Sequence, residues 1–243
     1  MTITVYPPIP TPYSILVSSG ELSNTEAVHK FGAVASMSVN TTGTIWDVDD
    51  TVYPWASLAS AQIIYCISTS ASDTGSLVVS GLDTNYAPLT ETVTLTGTSA
   101  VATTNAFIRV FRMYYTSGTN VGDITARVTS GAGTVVAKIY ASNAQTLMAI
   151  YTIPAGKTGY LYQGVMTAQA GADATGNMFV RYFGESAFRI GHSFEISGGG
   201  GEYFYPFAFP IKIPEKSDID VRASVRSNNG RYTAAFDLLL VDN

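Results

Sequence analysis

Asp218-Ile219-Asp220-Val221-Arg222-Ala223-Ser224-Val225-Arg226 is the stretch that decides the fold class. Ile219, Val221, Ala223 and Val225 alternate there with charged or hydroxyl side chains. Successive side chains of a β-strand point to opposite faces, so this period of two predicts a strand with one buried and one wet face. On that reading Asp218, Asp220 and Arg222 form an ion-pair row on the wet surface.

The same period recurs outward along the chain. Val93 and Leu95 share a face in Thr92-Val93-Thr94-Leu95-Thr96; Ile124, Ala126 and Val128 share another, and Val135, Ala137 and Ile139 a third. Two runs, Ala106 to Met113 and Leu147 to Ile153, are apolar on both faces and predict central or covered strands. Turn chemistry separates the segments, as in Ser130-Gly131-Ala132-Gly133, Pro154-Ala155-Gly156-Lys157 and Asn228-Asn229-Gly230. No window carries a sustained helical stripe. The expected fold is therefore all-β, an antiparallel β-sandwich of jelly-roll type spanning residues 31–243. The alternative is two tandem sandwiches divided near residues 141–146.

Residues 1–30 differ. Pro7, Pro8, Pro10 and Pro12 fall within six positions and favour extended backbone without internal hydrogen bonds. Tyr6, Ile9 and Tyr13 make this segment too apolar for a solvated linker. It is read as an extended arm able to order against a neighbour, or else as a tail before a first strand. Ser23-Asn24-Thr25-Glu26 has the spacing of a capped helical turn. Near the other end, Tyr203-Phe204-Tyr205-Pro206-Phe207-Ala208-Phe209-Pro210 is the densest aromatic segment. Its prolines cannot donate to a ladder, which assigns it to an edge strand or loop. Tyr6, Pro7, Pro8, Ile9, Tyr13, Tyr203, Phe204, Tyr205 and Phe207 are the candidate partner-binding residues.

Composition narrows the function. With 243 residues the chain buries roughly 70–75% of its unfolded surface without a metal or disulfide staple. Charged residues make up 13%, about half the usual share, as suits a surface lying against other subunits. A net charge of −5 with 13 scattered Lys and Arg argues against nucleic acid as a partner. No basic-then-apolar leader and no apolar run of about 18–20 residues is evident, so neither export nor membrane insertion is expected. Synthesis in a cytoplasm follows. The single Cys66 reads as a small buried side chain.

His29 and His192 are the only histidines, each read as a surface or loop residue. Gly-x-Ser-x-Gly is absent, and two His with one Cys are too few for an ordinary zinc site. Asp47-Val48-Asp49-Asp50 lacks the Gly and Glu of an EF-hand loop and reads as a solvated loop. Asp73 reads as a turn former binding nearby backbone N–H groups. Asp218 and Asp220 have the proximity of a glycosidase pair, but Arg222 beside them favours an ion-pair row. Expected catalytic residues, metals and cofactors are none.

Several phrases in order carry a resemblance. Ser68 to Gly75, Gly81-Leu82-Asp83, Thr90 to Gly97, Phe107 to Val110, Gly122-Asp123-Ile124, Thr146 to Gly156 and Pro214 to Ala223 resemble virion proteins of tailed bacteriophages, notably short-tailed marine ones. The likeness spans about residues 30 to 240 and leaves out the arm. It implies a non-enzymatic virion structural protein of the capsid decoration (cement) or head and tail appendage kind. Such a protein would sit on the outer head surface, made in a bacterial host's cytoplasm. Its implied partners are the major capsid protein and copies of itself, as a homo-oligomer with a trimer expected. A fibre or receptor-binding protein holding host surface glycan is the alternative, followed by a depolymerase and a secreted carbohydrate-binding module.

Overall fold

The computed structural model describes residues 11–197 and 199–243. A short helix α1 (Tyr13–Ser18) precedes β1 (Thr25–Met37) and β2 (Thr42–Thr44). A 3₁₀ turn (Trp55–Leu58) leads into β3 (Gln62–Ser68), β4 (Ser76–Leu82), β5 (Pro88–Thr94), β6 (Val101–Phe107), β7 (Arg109–Tyr115), β8 (Ile124–Arg127) and β9 (Val135–Ile139). The chain ends with β10 (Ile150–Thr152), β11 (Lys157–Ala168), β12 (Asp173–Arg181), β13 (Arg189–Ile196), β14 (Gly201–Ile213), β15 (Asp218–Ser227) and β16 (Gly230–Asp242). The fold is all-β and its named strands pair antiparallel.

Four sheets enclose two cores. A sheet ordered β1-β16-β11-β14 packs on one ordered β10-β15-β12-β13, in which β2 also pairs with β15. Between them lie Val34, Leu161, Met178, Phe194, Val221, Tyr232 and Phe236. Sheets β6-β3-β8-β9 and β5-β4-β7 enclose a second core with Ile64, Leu77, Phe107, Met113 and Ile139. The second core is built from residues 46–148 together with Ile150; the first takes its residues from both sides of that span. The second sandwich is thus inserted into the first, where a tandem division near 141–146 had been the alternative expectation.

The two crossings touch. Ile45 and Trp46 belong to different cores, as do Met148 and Ala149. Ala149 N–H donates to the Ile45 carbonyl (2.9 Å), Ile45 N–H to Val221 (2.8 Å) and Val221 N–H to Ala149 (3.1 Å). Gly32 faces this pinch: a Cβ there would lie 2.3 Å from Ala149 N and 2.4 Å from the Ile45 oxygen. Room, not backbone conformation, requires glycine.

Several expectations change. Ser23 and Asn24 form a turn and Thr25 already starts β1, so the capped helical turn is not there; the helix is α1, earlier in the chain. The described part of the 1–30 arm is therefore α1 and the beginning of β1, whereas Tyr6, Pro7, Pro8 and Ile9 lie outside the described residues. The doubly apolar run Ala106 to Met113 is two strands: the chain turns from β6 to β7 at Ile108, changing sheet. Phe107, Ile108, Arg109 and Val110 are all buried at that corner, whereas Arg112 is exposed. Pro154 to Lys157 forms the expected turn, with φ of 75° at Gly156. Cys66 is buried in the second core, and burial pushes its thiol up to about 12.

Candidate interaction surface

The outer face of the sheet β1-β16-β11-β14 carries the exposed apolar side chains that the sequence reading sought. Even-numbered residues of β16 point into the core, which turns Asp237 and Leu239 outward. His29 and Phe31 of β1 and Tyr162 and Gln163 of β11 join them there. Asp237 lies at the centre, contacted by His29 Nδ1 and by Gln163 Nε2 (2.5 Å). Helix α1 lies against β1 and closes a cavity of about 420 Å³ lined by Tyr13, Val17, Tyr162 and Leu239, with His29 and Asp237 in its wall. From β14, Phe204 adjoins the same His29, Gln163 and Asp237. Tyr13 (55% exposed) and Phe204 (53%) therefore belong to one surface around one polar trio.

The other candidates of the aromatic segment separate by strand alternation. Tyr203, Tyr205 and Phe207 point toward β13 and surround His192, with ring centroids 6.3, 4.5 and 5.1 Å away. Phe194 completes the cluster at 4.9 Å. His192 is a half-buried strand residue rather than a lone surface or loop histidine; among the described residues its Nε2 has no partner, and burial lowers its pKa. His29 is exposed but on a strand, tied to Asp237. β14 is the last strand of its sheet, as its prolines indicated, and β13 is the last of the facing one. Midway along β14, residues 207–210 stand opposite the single Tyr162 of β11, a bulge that leaves Phe209 90% exposed.

Phe209, Phe31, Tyr162, Ile15 and the His29–Asp237 pair were missed from sequence. Phe209 sat in the quoted aromatic run, so its omission was avoidable. His29 and Phe31 show a period of two that was not used. The pairing of His29 with Asp237 bridges 208 positions and leaves no local signal.

The Asp218–Arg226 stretch departs from expectation in an instructive way. Asp218 and Asp220 are buried, because β15 is central and the inserted sandwich covers its outer face. The row is an ion-pair row, but it lies inside. Arg109, from β7, forks onto Asp218 (Nε–Oδ1 2.8 Å, Nη2–Oδ2 3.0 Å), and Arg181 Nε and Thr152 Oγ1 also donate to Asp218 (3.0 and 2.6 Å). Asp220 accepts from Thr44 Oγ1 (2.8 Å), Trp55 Nε1 (2.8 Å) and Arg222 Nε (2.9 Å). Burial alone would lower the Arg109 pKa, yet its hydrogen bonds and charge attraction to Asp218 outweigh that and raise it. Carboxylates held by this many donors are fixed acceptors.

Asp47, Asp49 and Asp50 are not one solvated loop. Asp50 accepts from Ser38 N–H (2.6 Å), Ser38 Oγ (2.6 Å) and Thr41 Oγ1 (3.2 Å), Asp49 accepts from Ser36 N–H (3.3 Å), and Asp47 is buried at the crossing, where it accepts from Leu147 N–H. Burial pushes the Asp47 carboxyl up to about 8. Among the described residues no three His, Cys, Asp or Glu side chains converge as a metal site, and no helix is long and apolar enough to cross a membrane. Asp73 ties its turn to a distant segment rather than to its own backbone, its side chain accepting from Ser68 Oγ (2.6 Å), Val121 N–H (2.8 Å) and Gly122 N–H (2.9 Å).

No protein-family model and no curated protein matches the chain. Among solved structures, infectious bursal disease virus Gx strain matches at 8% identity and a TM-score of 0.19, covering 89% of this chain and 75% of that one. Infectious bursal disease virus Gt strain matches at 8% identity and a TM-score of 0.23, covering 96% and 76%. At these TM-scores the likeness decides nothing about fold or role.

Proposed function

We propose that this chain is a non-enzymatic structural protein of a virion, of the capsid decoration kind. In this reading it binds the outer surface of a bacteriophage head and stabilises the shell by bridging major capsid protein subunits. The observation that carries it is the outer face of the β1-β16-β11-β14 sheet, where Tyr13, Phe31, Tyr162 and Phe204 stay exposed around a single polar centre. Exposed aromatic groups clustered on one face mark a contact surface. The resemblance to tailed-phage virion proteins supplies the partner, and the sparse charge fits a surface lying against a shell. Buried ion pairs at the junction of the sandwiches hold the carboxylates that a hydrolase would need, which favours a passive role. Repetition over a shell lets many weak contacts sum to firm attachment.

The test is sedimentation of the purified full chain with heads of the encoding phage that lack it. Co-sedimentation, with heads that resist heating better, is expected. Loss of co-sedimentation in Phe204→Ser with unchanged folding places the contact on the sheet face. Binding to host glycans without binding to heads overturns the reading in favour of a fibre protein.

A further inference from the structure

β14 ends its sheet, so among the described residues one edge of a thirteen-residue strand has no hydrogen-bonded strand beside it. Its charges are arranged about its own midpoint. Phe207 is central in Gly201–Ile213, Glu202 lies five positions before it and Lys212 five after. Both are exposed, and neither forms an ion pair among the described residues. All other side chains of β14 are uncharged. An antiparallel copy of the same strand, related by a two-fold axis near Pro206, would set each Glu202 against the partner copy's lysine. Tyr203 would fall opposite an isoleucine. A two-fold contact of this kind is self-complementary: every attraction occurs twice.

We propose that β14 is a homodimer contact, in which the occupant of the free edge is the β14 edge of a second copy of this chain. This rests on the virion reading only in that self-association belongs to it, and it replaces the expected three-fold cluster with a two-fold one on this surface. Pro206 and Pro210 lack N–H donors, and the bulge at residues 207–210 interrupts a straight ladder. The contact is therefore made chiefly by side chains: the exposed Phe209, its aromatic neighbours and the two Glu–Lys pairs. Prolines and bulge also stop open-ended growth, so the contact closes at two copies instead of recruiting further strands.

Charge reversal tests this without touching the core. Sedimentation velocity of the full chain at low salt is expected to show a dimer. Glu202→Lys and Lys212→Glu each place like charges together twice and should weaken dimerisation about tenfold or more. The double reversal, carrying both substitutions, restores opposite charges and should recover the wild-type dissociation constant to within a few-fold. Phe209→Ser should weaken the dimer at any salt concentration, whereas the effect of the single reversals should shrink as salt screens the pairs. A wild-type monomer overturns the proposal, as does an oligomer indifferent to single reversal or one that the double reversal fails to restore. Those outcomes leave head binding through the sheet face untouched, since that is read from co-sedimentation and Phe204.

Discussion

The two sandwiches solve the same problem differently. In the inserted one, both sides are shut: β5 lies against β6, and β7 against β9. Glu91 of β5 stitches the first seam by accepting from the backbone N–H groups of Thr104 (2.5 Å) and Asn105 (2.9 Å). Beyond the second, the segment that follows β9 is bound to β7, Tyr115 N–H donating to Ala144 and Thr146 N–H to Met113. In the outer sandwich, β13 and β14 end their sheets side by side, with aromatic rings filling the mouth. Unpaired strand edges are a liability unless guarded or used. Among the described residues, the large exposed aromatic side chains all lie outside the inserted sandwich.

The strongest way to break this division is at the seam. Arg109→Ala leaves Asp218 buried without its main counter-charge and should cost about 3–5 kcal/mol. Calorimetry should then resolve two transitions in place of one as the modules uncouple. Gly32→Ala drives a Cβ into the backbone of both crossings and should cost about 3 kcal/mol, at the upper end of overpacking effects, without altering the surface of either module. A lowered melting temperature with unchanged head binding would be its signature.

Acid sharpens the contrast. Burial would raise the carboxyls of Asp73 and Glu91, but their hydrogen bonds outweigh it and hold both below the usual range; the same holds for Asp123 with Lys138. All three lie in the inserted sandwich. A depressed folded pKa contributes stability above the unfolded value, near 4, that is lost as pH falls through the folded one. The inserted module should therefore melt first on acidification below about pH 4, as followed by hydrogen exchange. Asp47 acts in the opposite direction: raised to about 8, it contributes stability below pH 4 that is lost as pH rises toward 8. Asp47→Asn should flatten the decline between pH 5 and 7 in thermal melts. Smallest of all, Phe204→Ser should change stability by no more than about 0.5 kcal/mol and still abolish attachment to heads.

Much of the fold was legible because strand periodicity is local. Ile219, Val221, Ala223 and Val225 pointed inward as their alternation required. The same alternation misplaced Asp218 and Asp220, since a polar face covered by a distant module looks identical in sequence to one facing water. Arg109 and Trp55, more than a hundred positions away, reveal the difference. The insertion was hidden for the same reason: β1 and β16 pair across the whole chain, and neither strand advertises its partner. Of the candidate surface, Tyr13 was named from the Pro-rich arm and Phe204 from the aromatic segment. Strand alternation then split that segment, sending Tyr203, Tyr205 and Phe207 to the His192 cluster.

The central claim is that the open sandwich attaches and the closed one does not. An electron cryo-microscopy map of heads carrying the chain tests it most directly. The account predicts the outer face of the β1-β16-β11-β14 sheet against the shell, with Tyr13 and Phe204 buried there and residues 46–148 projecting into solvent. A map with the inserted sandwich seated on the shell and that sheet face bare would contradict it.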